Sequence, residues 1–327
     1  MIKKRYHFFI AMGILIIGII VGSFLDLQIN SAIFNPTSTF GLSVSVFGMI
    51  PGYGFLAFLG GITLYMSLHK KEWKKWARIL MFAFSIAFFA VASYAIGDDI
   101  FNVNGFYDQT LEHYHVGYLV AAVIATPLYI IGYIMGKKVK QPKMWLVIII
   151  LAAAIFVAIV PCLSVLKILM RRPRYRIVVY NHLIDDAYKN WWEFNLKGYM
   201  DIKLNIDTDP IFIKYSVSST EFKSFPSGHS AAAMITPMFL TFIPFLDKRL
   251  MKYQTLFFYL GFGWCLIMMF ARMLVGAHYL TDTCFGALFV LIFFYIANEI
   301  ILRKHLLDEK PEEAFVEEQQ QETIEEQ

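Results

Sequence analysis

Residues 144–166 read MWLVIIILAAAIFVAIVPCLSVL, without one charged side chain, and Lys167 follows at once. A hydrocarbon core about 30 Å thick needs about 20 apolar residues of helix to cross it, and this run meets that length. Its apolar residues are continuous rather than alternating, so it reads as a spanning helix and not as a barrel strand. Runs of the same kind lie at roughly 7–25, 48–68, 77–97, 116–136, 230–246, 254–274 and 279–302. The expected fold is all-α: a polytopic membrane helix bundle with eight transmembrane helices.

Composition agrees. Of 327 residues 58% are apolar and only 17% are charged, against about 25% charged in an ordinary soluble domain. Disordered, collagen-like and disulfide-framework proteins are excluded. Cys162, Cys265 and Cys284 all lie inside apolar runs, with neither a disulfide pattern nor a zinc-knuckle spacing. The first run follows Lys3, Lys4 and Arg5 and is longer than a signal core, with no clear cleavage site after it. It reads as a retained helix.

Basic residues in short loops set the orientation. They cluster at the N-terminus, at Lys70, Lys71, Lys74, Lys75 and Arg78, at Lys137, Lys138, Lys140 and Lys143, and at Lys248, Arg249 and Lys252. The connection 98–115 between two of these holds Asp98, Asp99, Asp108 and Glu112 instead. Eight spans in a cell membrane with both termini cytoplasmic satisfy every one of these signs. The tail 308–327 carries nine acidic residues against Lys310, a net charge of −8, and reads as a solvated cytoplasmic end. The connection 26–47 is mildly polar and carries no signal of its own.

Ionisable residues near a membrane core are costly and mark function. Lys167, Arg171, Arg172, Arg174 and Arg176 crowd the outer end of the fifth run, and His229 follows Pro226-Ser227-Gly228 at the start of the sixth. Arg272 ends the seventh, and His278 and Asp282 open the eighth. Alternating helices bring these four ends to one face, the outer one. Lysines and arginines there can snorkel, and Ser-Gly can simply cap a helix, when each is taken alone. Taken together they have a chemical logic. Lys167, Arg174 and Arg272 can surround phosphate oxygens, and the Ser227-Gly228-His229 amides open a helix, where anions bind. His278 and Asp282 sit four apart on one helix face, a base with its orienting carboxylate, which suits a nucleophile. His229 has no such carboxylate and suits proton donation.

At these residues the sequence resembles the type 2 phosphatidic acid phosphatase (PAP2) superfamily, whose pattern has three blocks. The first is Lys, six residues, Arg-Pro; Lys167 and Arg174 match it, with Tyr175 in place of Pro, and Arg172-Pro173 offers a reading with a shorter gap. The second, Pro-Ser-Gly-His, is intact at Pro226–His229. The third is Arg272, His278 and Asp282, with Ala271 in place of its leading Ser. The family commonly has six core helices, which implies two extra N-terminal helices over 1–74. A PAP2-like core would then span 75–303 with an extracytoplasmic loop 167–228, and a disordered acidic tail would fill 304–327.

The resemblance implies an integral membrane hydrolase of a lipid phosphate monoester or diphosphate, acting through a phosphohistidine without metal or cofactor. Phosphatidate, phosphatidylglycerophosphate and undecaprenyl diphosphate are all admissible. By that carry-over His278 is the nucleophile, Asp282 orients it and His229 protonates the leaving oxygen. Lys167, Arg174, Ser227, Gly228 and Arg272 hold the phosphate. The implied partners are a lipid phosphate and the bilayer, with no nucleic acid.

The insert 175–224 is aromatic, with Tyr175, Tyr180, Tyr188, Trp191, Trp192, Phe194 and Tyr199, and is expected to form interfacial helices that admit a lipid. Asn205, Asp207 and Asp209 resemble half a calcium loop but lack its glycine and terminal Glu. Three alternatives stay open: a lipid-phosphate transferase or haloperoxidase on the same fold, a transporter, and a metal hydrolase. A transporter predicts charges on both membrane faces, and the three cations oppose a metal ion.

Overall fold

The computed structural model describes residues 2–98, 100, 114–160, 165–180, 188–193 and 219–308. Among these there is no strand. The helices are α1 (Tyr6–Ile33), α2 (Thr39–Phe47), α3 (Ile50–His69), α4 (Lys75–Asp98), α5 (Tyr114–Gly136) and α6 (Met144–Val160). The short α7 (Lys167–Met170) and α8 (Tyr175–Tyr180) come next, and then α9 (Gly228–Ala233), α10 (Ile235–Phe242), α11 (Gln254–Leu274) and α12 (Leu280–Arg303). Cys162, Phe194, Tyr199, the stretch 205–209, Asp99, Asp108, Glu112 and the tail beyond Asp308 lie outside the described residues.

Six helical segments among the described residues are long and apolar enough to cross a bilayer: α1, α2 with α3, α4, α5, α11 with its preceding turn, and α12. The expected run 230–246 forms two shorter helices, and the described part of the run 144–166 is helical through Val160 as α6. A proline explains the break in 230–246. Pro237 has no N–H to offer the Ala233 carbonyl four residues back, and the helix breaks between them at Met234.

Side-chain placement is inverted relative to a soluble protein. Phe24 is 77% exposed, whereas Arg172 is 1% and Asp282 0% exposed. Apolar residues facing outward and charges facing inward fit a hydrocarbon surround. Two groups of helices result. In the first, α3, α4 and α5 pack on one another, and Gly61 and Gly132 let the α3 and α5 backbones meet where a Cβ would collide with main-chain atoms. In the second, α6, α9, α10, α11 and α12 pack together, with α1 laid along α12. Phe55 of α3 stacks on Phe239 of α10 and Phe58 meets the same ring at a tilt, each with centroids 5.1 Å apart, joining the groups. At one end of the bundle Ile2 exchanges hydrogen bonds with Asn298 and Arg5 pairs with Glu299 at 2.9 Å. The opposite end gathers the polar residues.

Candidate active site

Each sequence block reaches that end through a local device. Lys167 opens α7, and Arg171 closes it in the left-handed region at φ 42°, its N–H bonded to the Lys167 carbonyl. Arg172, Pro173 and Arg174 form a non-helical stretch between α7 and α8, and the two arginines meet different partners. Ser227 caps α9, its Oγ accepting the Ser230 N–H at 3.3 Å, which sets Gly228 and His229 in the first turn. The Ser227 N–H donates to the Asp282 carbonyl at 3.0 Å, and Gly286 leaves room for Ser227 where a Cβ would collide with its carbonyl. Arg272 lies in the last turn of α11, and a turn through Gly276 at φ 65° leads to His278 and α12.

The His229 and His278 ring centroids are 6.3 Å apart. Arg272, Lys167 and Arg174 all lie close enough to His229 to act on it electrostatically, and Arg272 and Arg174 act likewise on His278. All eight residues singled out in the sequence therefore share one neighbourhood: Lys167, Arg174, Ser227, Gly228, His229, Arg272, His278 and Asp282. All but Lys167 are buried.

The nearest partner of the His278 Nδ1 is the Ser224 carbonyl, at 2.6 Å, while Asp282 Oδ2 is 3.8 Å away. A carbonyl can only accept, so Nδ1 carries the proton and Nε2 keeps its lone pair. Asp282 Oδ2 in turn accepts the Ser224 hydroxyl and the Tyr279 N–H, the latter at 2.9 Å. Burial pushes the His278 imidazole down to about 3, with Arg272 and Arg174 adding to it and Asp282 opposing, so it is uncharged at neutral pH.

The two arginines of the first block divide. Arg172 Nη1 donates to Asp282 Oδ1 at 2.5 Å, and Nη2 to Asp26 Oδ2 at 2.9 Å. Burial opposes its charge, but Asp282 and Asp26 hold the guanidinium above its ordinary value. Arg174 is paired only at 3.8 Å with Glu221, and its Nε has no hydrogen-bond partner among the described residues. Burial pulls it down to about 10, still a cation at neutral pH.

Sequence reasoning did not single out Ser224, Asp26, Thr281 or Asn30. Asp26 and Asn30 fall in the connection 26–47, yet α1 continues to Ile33 and buries both. A carboxylate one residue past a long apolar run was the available signal. The role of the Ser224 carbonyl belongs to the main chain and has no sequence signal.

No curated protein and no solved structure matches the chain. The sequence model of the PAP2 superfamily matches residues 142–305, which take in all three blocks, α6 and the helices from α9 to α12. That match covers half of the chain and all eight of the residues singled out in the sequence, so the chain belongs to the PAP2 superfamily.

Proposed function

We propose that the protein hydrolyses a lipid phosphate monoester or diphosphate through a phosphohistidine on His278. The observation that carries this reading is the His278 tautomer: the Ser224 carbonyl holds the proton on Nδ1 and leaves Nε2 nucleophilic beside a second imidazole and three cations. The Nε2 lone pair attacks phosphorus as the bond to the lipid oxygen breaks. His229, which takes up a proton once the bound phosphate offsets the neighbouring cations, gives that proton to the leaving oxygen. Water then attacks the phosphohistidine, His229 takes a proton from it, the P–N bond breaks, and inorganic phosphate leaves. Lys167, Arg174, Ser227, Gly228 and Arg272 hold the phosphate oxygens, and the unpartnered Arg174 Nε is suited to one of them.

A lipid substrate is supported by the aromatic wall beside Pro226. Phe225 and Phe285 rings are 4.8 Å apart, and Trp191 stacks on Phe225 at 6.0 Å. An outward-facing site is supported by the basic loops, which belong to the opposite end of the bundle, where Lys138 pairs with Asp247 at 2.9 Å.

The test is phosphate release from lipid phosphates by the purified chain, with trapping of an acid-labile phosphoenzyme. Label on His278, absent from His278→Ala, is expected. Turnover that persists in His278→Ala would overturn the reading. A transferase would instead move the phosphoryl group to an added alcohol in preference to water.

A further inference from the structure

α1 lies outside the matched region, yet one stripe of it touches the site. Gly18, Gly22, Asp26 and Asn30 recur every four residues and share a helix face. A Cβ on Gly18 would collide with the Cys284 sulfur, and one on Gly22 with Thr281, so the two glycines let α1 approach the start of α12. Asp26 Oδ1 then accepts the Thr281 N–H at 3.1 Å, one of the donors a helix N-terminus leaves unsatisfied. Its Oδ2 accepts the Thr281 hydroxyl and the Arg172 guanidinium. One turn further on, Asn30 Nδ2 donates to the His278 carbonyl at 3.0 Å.

We infer that Asp26 is a positioning residue for phosphoryl transfer, acting through Arg172 on Asp282. Arg172 is one cation between two carboxylates, each buried. While Asp26 is ionised, the guanidinium charge is divided, and Asp282 keeps negative charge to stabilise the imidazolium that forms when His278 bonds to phosphorus. Without the Asp26 charge, Arg172 neutralises Asp282 alone, and that stabilisation weakens at the moment of transfer. Asp26 bonds to Arg172 and Thr281, neither of which belongs to the phosphate-holding set, so substrate binding is left intact. A role confined to holding α1 against α12 would change thermal stability and leave the chemistry unchanged.

The inference rests on the phosphatase reading, and the test separates the two. The full chain in detergent is assayed on nitrophenyl phosphate as wild type, Asp26→Asn, Asp282→Asn and the double variant. Asp26→Asn should lower kcat on the order of 10–100-fold, the usual cost of an outer-shell partner, with KM unchanged. In the Asp282→Asn background the same change should add little, because the carboxylate it serves is already gone. Asp26→Ser, which leaves room for a water beside Arg172, should show the same split and replaces Asp26→Asn if that variant does not fold. Wild-type kcat in a folded Asp26 variant, or losses that simply multiply, would overturn the inference. A wild-type chain that releases no phosphate would instead overturn the phosphatase reading beneath it.

Discussion

The Ser224 carbonyl stands 2.6 Å from His278 Nδ1, nearer than the Asp282 carboxylate at 3.8 Å, and the Ser224 hydroxyl bonds to that carboxylate. One residue thus sets the histidine tautomer with its main chain and ties Asp282 in place with its side chain.

Ser224→Ala should therefore cost little. The carbonyl remains and only the hydroxyl bond to Asp282 is lost, for a kcat decrease on the order of tenfold. Asp282→Asn removes the charge itself and should cost considerably more, as comparable losses of an orienting carboxylate do. Steady-state kinetics of the two variants on one substrate checks the order.

The two arginines should separate cleanly. Arg172→Met leaves Asp26 and Asp282 buried without their shared cation, and breaking a buried pair in this way costs about 3–5 kcal/mol of stability. Arg174→Met leaves only Glu221, which Arg176 already holds through two hydrogen bonds, so its unfolding temperature should change little while vanadate binding weakens. Thermal unfolding and vanadate titration of both variants make the comparison.

The histidine carries a pH signature. An unfolded imidazole binds its proton near pH 6.5, but folded His278 does so only near 3. Between those values the unfolded state holds more protons, so stability falls as pH falls, by up to about 1.4 kcal/mol per pH unit. His278→Asn should flatten the unfolding temperature across that window, and an unchanged slope would mean that the folded imidazole titrates normally.

Orientation is open to chemical labelling. With both termini inside, a cysteine placed near Trp191 should react with an impermeant thiol reagent from outside, and one near Lys138 should not. The reverse pattern would put the site on the cytoplasmic face.

Much of this site was legible in the sequence because its parts are local. Pro226–His229 is a helix start, and Arg272, His278 and Asp282 bracket a single turn, so spacing alone gathers them once the helices alternate. Arg172 and Arg174 could not be told apart, because what separates them is the left-handed turn at Arg171 and the non-helical stretch that follows it. Asp26 escaped because counting apolar residues ends the first run at 25, whereas α1 continues eight residues beyond that point to Ile33, with Asp26 and Asn30 on its buried face. The break before Pro237 was visible in the residue type, but run length does not weigh a proline. Backbone roles such as the Ser224 carbonyl leave no trace in residue type.

The division of labour between the histidines is tested most directly by rapid-quench kinetics on nitrophenyl phosphate, whose leaving group departs without a proton. If His278 attacks phosphorus and His229 handles protons, His229→Ala should release a burst of nitrophenolate equal to the enzyme present and then stall, for want of a base to activate water. On a lipid phosphate, whose alkoxide needs the proton, the same variant should lose on the order of 10²–10⁴-fold in rate. His278→Ala should give neither burst nor turnover on either substrate. A burst from His278→Ala, or equal losses for both variants on both substrates with no burst from His229→Ala, would contradict a phosphohistidine at His278.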